Sequence, residues 1–126
     1  CGLLSYAYND NVNMNGTARL LKSNDVAIGL AYSGEAIGVN SALSIAKENG
    51  AKVIAITSTP DSTLARLADF VLYYSHDIPD DLHYLFLPNL CEITLLGAIQ
   101  SSILLKPNQQ DRINASRKAI LQNRMK

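Results

Sequence analysis

The sequence predicts an α/β fold of three layers, α-β-α, built on a parallel sheet. Short apolar runs of strand length recur along the chain: VAIGLA at Val26–Ala31, KVIAIT at Lys52–Thr57 and FVLYY at Phe70–Tyr74. They are apolar at consecutive positions, the pattern of strands covered on both faces. Segments with apolar residues at helical spacing separate them. Alternation of this kind closes into a parallel sheet through right-handed crossovers with helices on both faces.

The elements follow in order. Cys1–Tyr8 (CGLLSYAY) is apolar and aromatic and reads as a further buried strand ending at Asn9-Asp10. Val12–Lys22 carries Met14, Ala18 and Leu21 at helical spacing, with Gly16 as a weak point. Ser23-Asn24-Asp25 is turn chemistry ahead of the Val26–Ala31 strand. Ala36–Glu48 reads as a helix marked by Ile37, Leu43, Ile45 and Ala46 and stopped by Asn49-Gly50. After the Lys52–Thr57 strand, Asp61 or Ser62 is placed to cap a short helix over Thr63–Ala68. Ser75–Asp81 reads as a loop. Pro88 then breaks or starts a helix, leaving Asn89–Leu105, apolar almost all round, as a helix for the core or an oligomer interface, ended by Pro107. Residues 106–126 form a polar, helix-compatible tail with Lys106, Arg112, Arg117, Lys118, Arg124 and Lys126 against Asp111. The expected organisation is one domain over 1–105 followed by that basic tail.

Composition narrows the function. The 126 residues are 48% hydrophobic and 17% charged, with zero formal net charge, which suits one compact domain and gives no surface built mainly for nucleic acid. Cys1 and Cys91 sit in no metal-ligand spacing and read as ordinary thiols of a cytoplasmic protein; no metal and no cofactor are expected. No apolar run reaches membrane-spanning length. In an open parallel sheet, ligands bind beyond the carboxyl ends of the strands. Two segments leave such ends here, Tyr32–Glu35 and Ser58–Ser62. Both are rich in hydroxyls and run into helices, and hydroxyls beside the N–H groups of a helix N-terminus make an anion site. Gly34 would let a phosphate approach the backbone. The same residues also serve as ordinary caps.

The run DVAIGLAYSGEAIGVNSALSIAKENGAKVIAITSTPDSTLARLADFVLYY, with GLLSYAYNDNVNMNGTARLLKSND ahead of it, resembles the SIS (sugar isomerase) domain. The hallmark is a strand ending in Ser-Gly-Glu, a helix, and a strand ending in a Ser/Thr-rich loop before a short helix and Ala-Asp. Within that family it is most similar to the effector domain of RpiR-type transcription regulators. The resemblance covers Gly2–Leu105. It implies a flavodoxin-like sheet whose first strand–helix unit would lie ahead of Cys1. It also implies a sugar-phosphate site with Tyr32, Ser33, Gly34, Glu35, Ser58, Thr59 and Ser62 as ligand-binding residues. Two departures stand out: Ala31 and Ala36 occupy positions where many members carry Ser and Thr, and each removes a hydroxyl.

Three functions follow from the resemblance. The first is phosphosugar sensing in a regulator, with DNA bound only through a separate N-terminal domain, a homodimer or higher oligomer, and no membrane. The second is an aldose–ketose sugar-phosphate isomerase, for which Glu35, His76, His83 and Glu92 would be the acid–base candidates, none at a specific pairing distance in sequence. The third is a degenerate domain serving dimerisation. The sensor reading assigns no catalytic residue.

Overall fold

A computed structural model describes residues 4–75 and 87–106, together with 111, 114, 115 and 118. The chain divides into two compact units, Ala7–Glu92 and a second comprising Cys1–Tyr6 and Ile93–Lys126.

Helix α1, Asn11–Ala18, starts at a side-chain cap: Asp10 accepts from the Asn13 backbone N–H at 2.9 Å and from its side-chain amide at 3.0 Å. It ends well before Lys22, so the expected helix is shorter, yet its apolar stripe is as read. Met14, Ala18 and Leu21 pack with Ala42, Ala46 and Ala51 in one core cluster.

Strands β1 (Val26–Leu30), β2 (Lys52–Thr57) and β3 (Phe70–Tyr73) form a parallel sheet in the order β1-β2-β3. Val26 is level with Lys52, Leu30 with Ile56 and Thr57 with Tyr73, so the strands finish along one edge of the sheet. Helices α2 (Ile37–Glu48) and α3 (Thr63–Leu67) follow β1 and β2. Leu43, Val53, Ala55 and Leu64 make the core between helices and sheet. Gly29 in β1 belongs to that packing: a Cβ there would run into the Leu43 side chain and lie 3.0 Å from Val39. At its far end α2 closes in a Schellman motif, with Gly50 at φ 88°, its N–H donating to the Lys47 carbonyl, and the Ala51 N–H reaching the Ala46 carbonyl at 3.0 Å. Helix α4, Leu87–Leu104, carries Pro88 in its first turn, where the missing N–H costs nothing.

Two expectations need correction. Residues 4–8 form no strand, and Leu4 is 84% exposed. Apolar character alone does not make a strand; it needs an edge to pair with, and among the described residues β1 pairs only with β2. Strand β1 is not covered on both faces: Ala27 and Gly29 lie against α2 and α3, whereas Val26 and Ile28 are 54% and 38% exposed. Helix α4 has no buried side chain among its described residues, so of the two expected places, core or oligomer interface, the core of this chain is not where it lies. Most of the 75–81 loop and of the basic tail lies outside the described residues. None of the described helices is long and apolar enough to cross a membrane.

Candidate functional site

Because the strands are parallel and in register, the turn after β1, the loop after β2 and the end of β3 meet at one sheet edge. Residues 31–34 form a tight turn closed by the Gly34 N–H donating to the Ala31 carbonyl at 3.0 Å. Gly34 sits at φ 68°, a left-handed conformation that favours glycine. Its missing side chain faces the protein and not open space: a Cβ would overlap Ser62 and lie 3.1 Å from Thr57 Oγ1. Close approach of turn and loop is therefore the visible reason for this glycine.

The loop's hydroxyls converge on the turn. The Tyr32 carbonyl accepts from Thr57 Oγ1 at 2.9 Å, Ser58 Oγ at 2.9 Å, Thr59 Oγ1 at 3.4 Å and the Ser58 backbone N–H at 3.1 Å. A carbonyl oxygen offers two lone pairs, so four donors oversubscribe it. Thr57 is fully buried, and its Oγ1 also accepts from the Thr59 N–H at 3.2 Å. Ser58 is half-buried and Thr59 exposed, so those two hydroxyls are the ones able to turn to another acceptor. Ser33 is exposed, and its Oγ accepts from the Glu35 N–H at 3.3 Å.

Ser62, only 2% exposed, spends its hydroxyl internally. It donates to the Thr59 carbonyl at 2.8 Å and accepts from the Ala65 N–H at 3.3 Å as the cap of α3. Glu35 reaches across from the turn to the same helix end: Oε1 accepts from the Thr63 N–H at 2.8 Å and Oε2 from Thr63 Oγ1 at 2.7 Å. Those two bonds, the hydroxyl first, and the nearby Arg66 guanidinium hold the carboxyl below the usual glutamate range.

The two helix starts thus differ. In α3 the N–H groups of Thr63, Leu64 and Ala65 already donate, to Glu35, the Gly34 carbonyl and Ser62. In α2 the cap position is Ala36, which makes no side-chain cap bond, and Asn40 instead turns its amide to the Gly34 carbonyl at 3.1 Å. The first N–H groups of any α-helix lack intrahelical acceptors. At α2 the cap residue Ala36 offers them no acceptor, while the Asn11 side-chain amide lies against Gly38 in the first turn.

Tyr74, immediately after β3, packs its ring at 6.4 Å and 44° from that of Tyr32 and donates its hydroxyl to Glu92 Oε1 at 2.9 Å. Burial first, then the bond to the Glu92 carboxylate, push the Tyr74 phenol well above its ordinary range. Glu92 is therefore placed as an acceptor from Tyr74, while His76 and His83 lie outside the described residues. No group of three or more His, Cys, Asp or Glu side chains able to hold a metal occurs among the described residues, and Cys91 is a free thiol there. Thr57, Thr63 and Tyr74 carry no site motif in the sequence. Thr57 and Tyr74 stand at strand ends and Thr63 just after a cap, positions where each looked like the framework of its own element.

The SIS domain family model matches residues 3–86, two thirds of the sequence, and the chain belongs to that family. Over 71 residues, 56% of this chain and 24% of the relative, it is 39% identical to the "HTH-type transcriptional regulator RpiR" of Escherichia coli (strain K12). It is also 39% identical over 71 residues, 21% of the relative, to the "Probable arabinose 5-phosphate isomerase" of Haemophilus influenzae. Among solved structures, the Vibrio vulnificus NanR protein complexed with ManNAc-6P matches with a TM-score of 0.76 at 17% identity, covering 90% of this chain and 44% of that one, a likeness of fold. The chain spans about a quarter of the length of these two curated relatives.

Proposed function

We propose that this chain is the phosphosugar-sensing part of an RpiR-type transcription regulator, with the sugar phosphate held at the edge where the turn after β1 meets the loop after β2. The observation carrying this reading is the crowding of Ser58 and Thr59 donors on the Tyr32 carbonyl, beside an α2 start that no side chain caps. A phosphate there would take the Ser33 hydroxyl and the first N–H groups of α2, and would draw Ser58 and Thr59 off an oversubscribed oxygen at little cost. The hydroxyls absent at Ala31 and Ala36 are then made up from the second loop. Tyr32 contributes its backbone to this cradle, and Gly34 and Ser62 keep turn and loop in contact.

The similarity to RpiR supports the regulatory half of the reading, in which DNA contact belongs to a separate domain and the ligand alters assembly of a homodimer or higher oligomer. A thermal-shift screen against sugar phosphates and their unphosphorylated sugars tests the binding half, with Ser33→Ala as control. The expected result is a phosphate-dependent rise in Tm that the variant reduces. A folded protein that responds to no compound leaves only a dimerisation role.

A second reading, aldose–ketose isomerisation, is favoured by equal similarity to the Haemophilus protein. Interconversion of an aldose phosphate and its ketose by the purified protein would select it. Against it stands Glu92, whose carboxylate already accepts from Tyr74.

A further inference from the structure

We propose that Glu35 is a positioning residue and not a ligand contact: with Thr63 as its partner, it forms a strut that sets the gap between the turn after β1 and the loop after β2. The inference rests on the phosphate site proposed above, because the strut matters to binding only if that gap is where the ligand sits.

Four observations on one junction carry it. Both carboxylate oxygens of Glu35 are engaged by a single residue, Oε1 by the Thr63 N–H and Oε2 by its hydroxyl. The neighbouring bond runs the same way, the Leu64 N–H donating to the Gly34 carbonyl at 3.0 Å. Gly34 lies against Ser62 so closely that no side chain fits between them. Arg66 steadies the far side, donating to Thr63 Oγ1 at 3.4 Å and to the Asp61 carbonyl. Turn and helix start are thus fastened at consecutive residues, 34 to 64 and 35 to 63. A sugar hydroxyl seeking Glu35 would have to displace short charge-assisted bonds. An incoming phosphate would meet a negative charge there, which is poor design for a contact and harmless for a strut. Ser33, two residues earlier, is exposed, its Oγ accepting from the Glu35 N–H.

The charge and the strut separate in a pair of variants. Glu35→Gln removes the charge but can still accept from the Thr63 N–H and donate to Thr63 Oγ1. Glu35→Ala removes both. Two readouts are taken on the whole chain: amide hydrogen exchange at Thr63 and Leu64 without ligand, and affinity for inorganic phosphate as the probe. With the strut, exchange at Thr63 is about tenfold faster in Glu35→Ala than in Glu35→Gln, the loss of one bond to a charged or amide acceptor. Phosphate binds at least about fivefold more weakly to the Ala variant than to the Gln variant, and Thr63→Val shrinks that difference, since the two residues act as a pair. Equal affinity changes in Gln and Ala overturn the proposal, because charge or direct contact would then be what Glu35 supplies. Slow exchange at Thr63 in Glu35→Ala overturns it as well. If wild-type protein binds neither inorganic phosphate nor any sugar phosphate, the site reading falls by itself, and the exchange measurement still decides whether the strut exists.

Discussion

Replacing Gly34 by alanine probes the junction on which the proposed site depends. Two costs add. At φ 68° an L-residue sits in the left-handed region, at about 1–2 kcal/mol. The new Cβ would also overlap Ser62 and press on Thr57, both buried and hydrogen-bonded, and overpacking of this kind costs about 1–3 kcal/mol. Gly34→Ala is therefore expected to lose about 2–5 kcal/mol, read as a lower urea midpoint at unchanged slope. Gly16 supplies the control. It lies inside α1 without positive φ and has nothing within 4 Å of a built Cβ, so Gly16→Ala is expected to gain about 0.5–1 kcal/mol. Adding Ser62→Gly to Gly34→Ala removes the overlap but not the strained φ, so the double variant should be less destabilised than the two single losses added together. A loss under about 1 kcal/mol for Gly34→Ala would fall short of the φ cost alone. It would refute the close turn-to-loop contact and with it the cradle.

Other consequences follow from individual groups. Ser62→Ala removes the cap of α3 and the bond to the Thr59 carbonyl, with an expected loss of about 1–2 kcal/mol in the same urea assay. Asp10, Glu35 and Asp69 all have lowered pKa values, Asp69 chiefly through the Val53 N–H and then Lys47. A depressed folded-state pKa means the unfolded chain binds more protons, so their stabilisation is present above the ordinary values of 4.5 for Glu35 and 3.8 for the aspartates. It is lost as the pH falls through the lowered values, and Asp69→Asn should flatten that acid limb of a Tm-against-pH curve. Among six tyrosines, Tyr74 is expected to remain protonated where exposed phenols ionise, near pH ~10. Ultraviolet titration should show a late step that Tyr74→Phe abolishes; six tyrosines ionising together would contradict the buried bond to Glu92.

The strand–helix alternation was legible because its signals are local and strong. KVIAIT is strand β2 from Lys52 to Thr57, and Ser62 and Asn49-Gly50 cap and stop their helices as their chemistry dictates. The turn and the loop were legible as neighbours because a parallel register brings successive strand ends to one edge. What the residues could not reveal depends on partners distant in sequence. The CGLLSYAY run has strand composition, but pairing is a property of two segments. VAIGLA looks doubly covered, yet only its Ala27 and Gly29 side meets helices. Gly34 reads from sequence as an opening for phosphate, and in the structure it is filled from behind by Ser62. Glu35 reads from sequence as a ligand contact, and the residue that donates to both its oxygens, Thr63, lies 28 positions away. Of the two helix starts, α3 is closed by its own cap Ser62 and by Glu35 from 28 positions away, and only the second is invisible in the local motif; Ala36 gives α2 no side-chain cap bond.

The most direct test of the proposed phosphate cradle is a backbone amide NMR titration of the chain with the sugar phosphate giving the largest thermal shift, or inorganic phosphate if none does, and with the matching unphosphorylated sugar. Saturable shifts are expected, centred on Ser33 and the first residues of α2, with Ser58 and Thr59 following, and none of these with the plain sugar. Shifts centred on Thr63–Ala65 at the start of α3, or equal responses to phosphorylated and plain sugar, would contradict it.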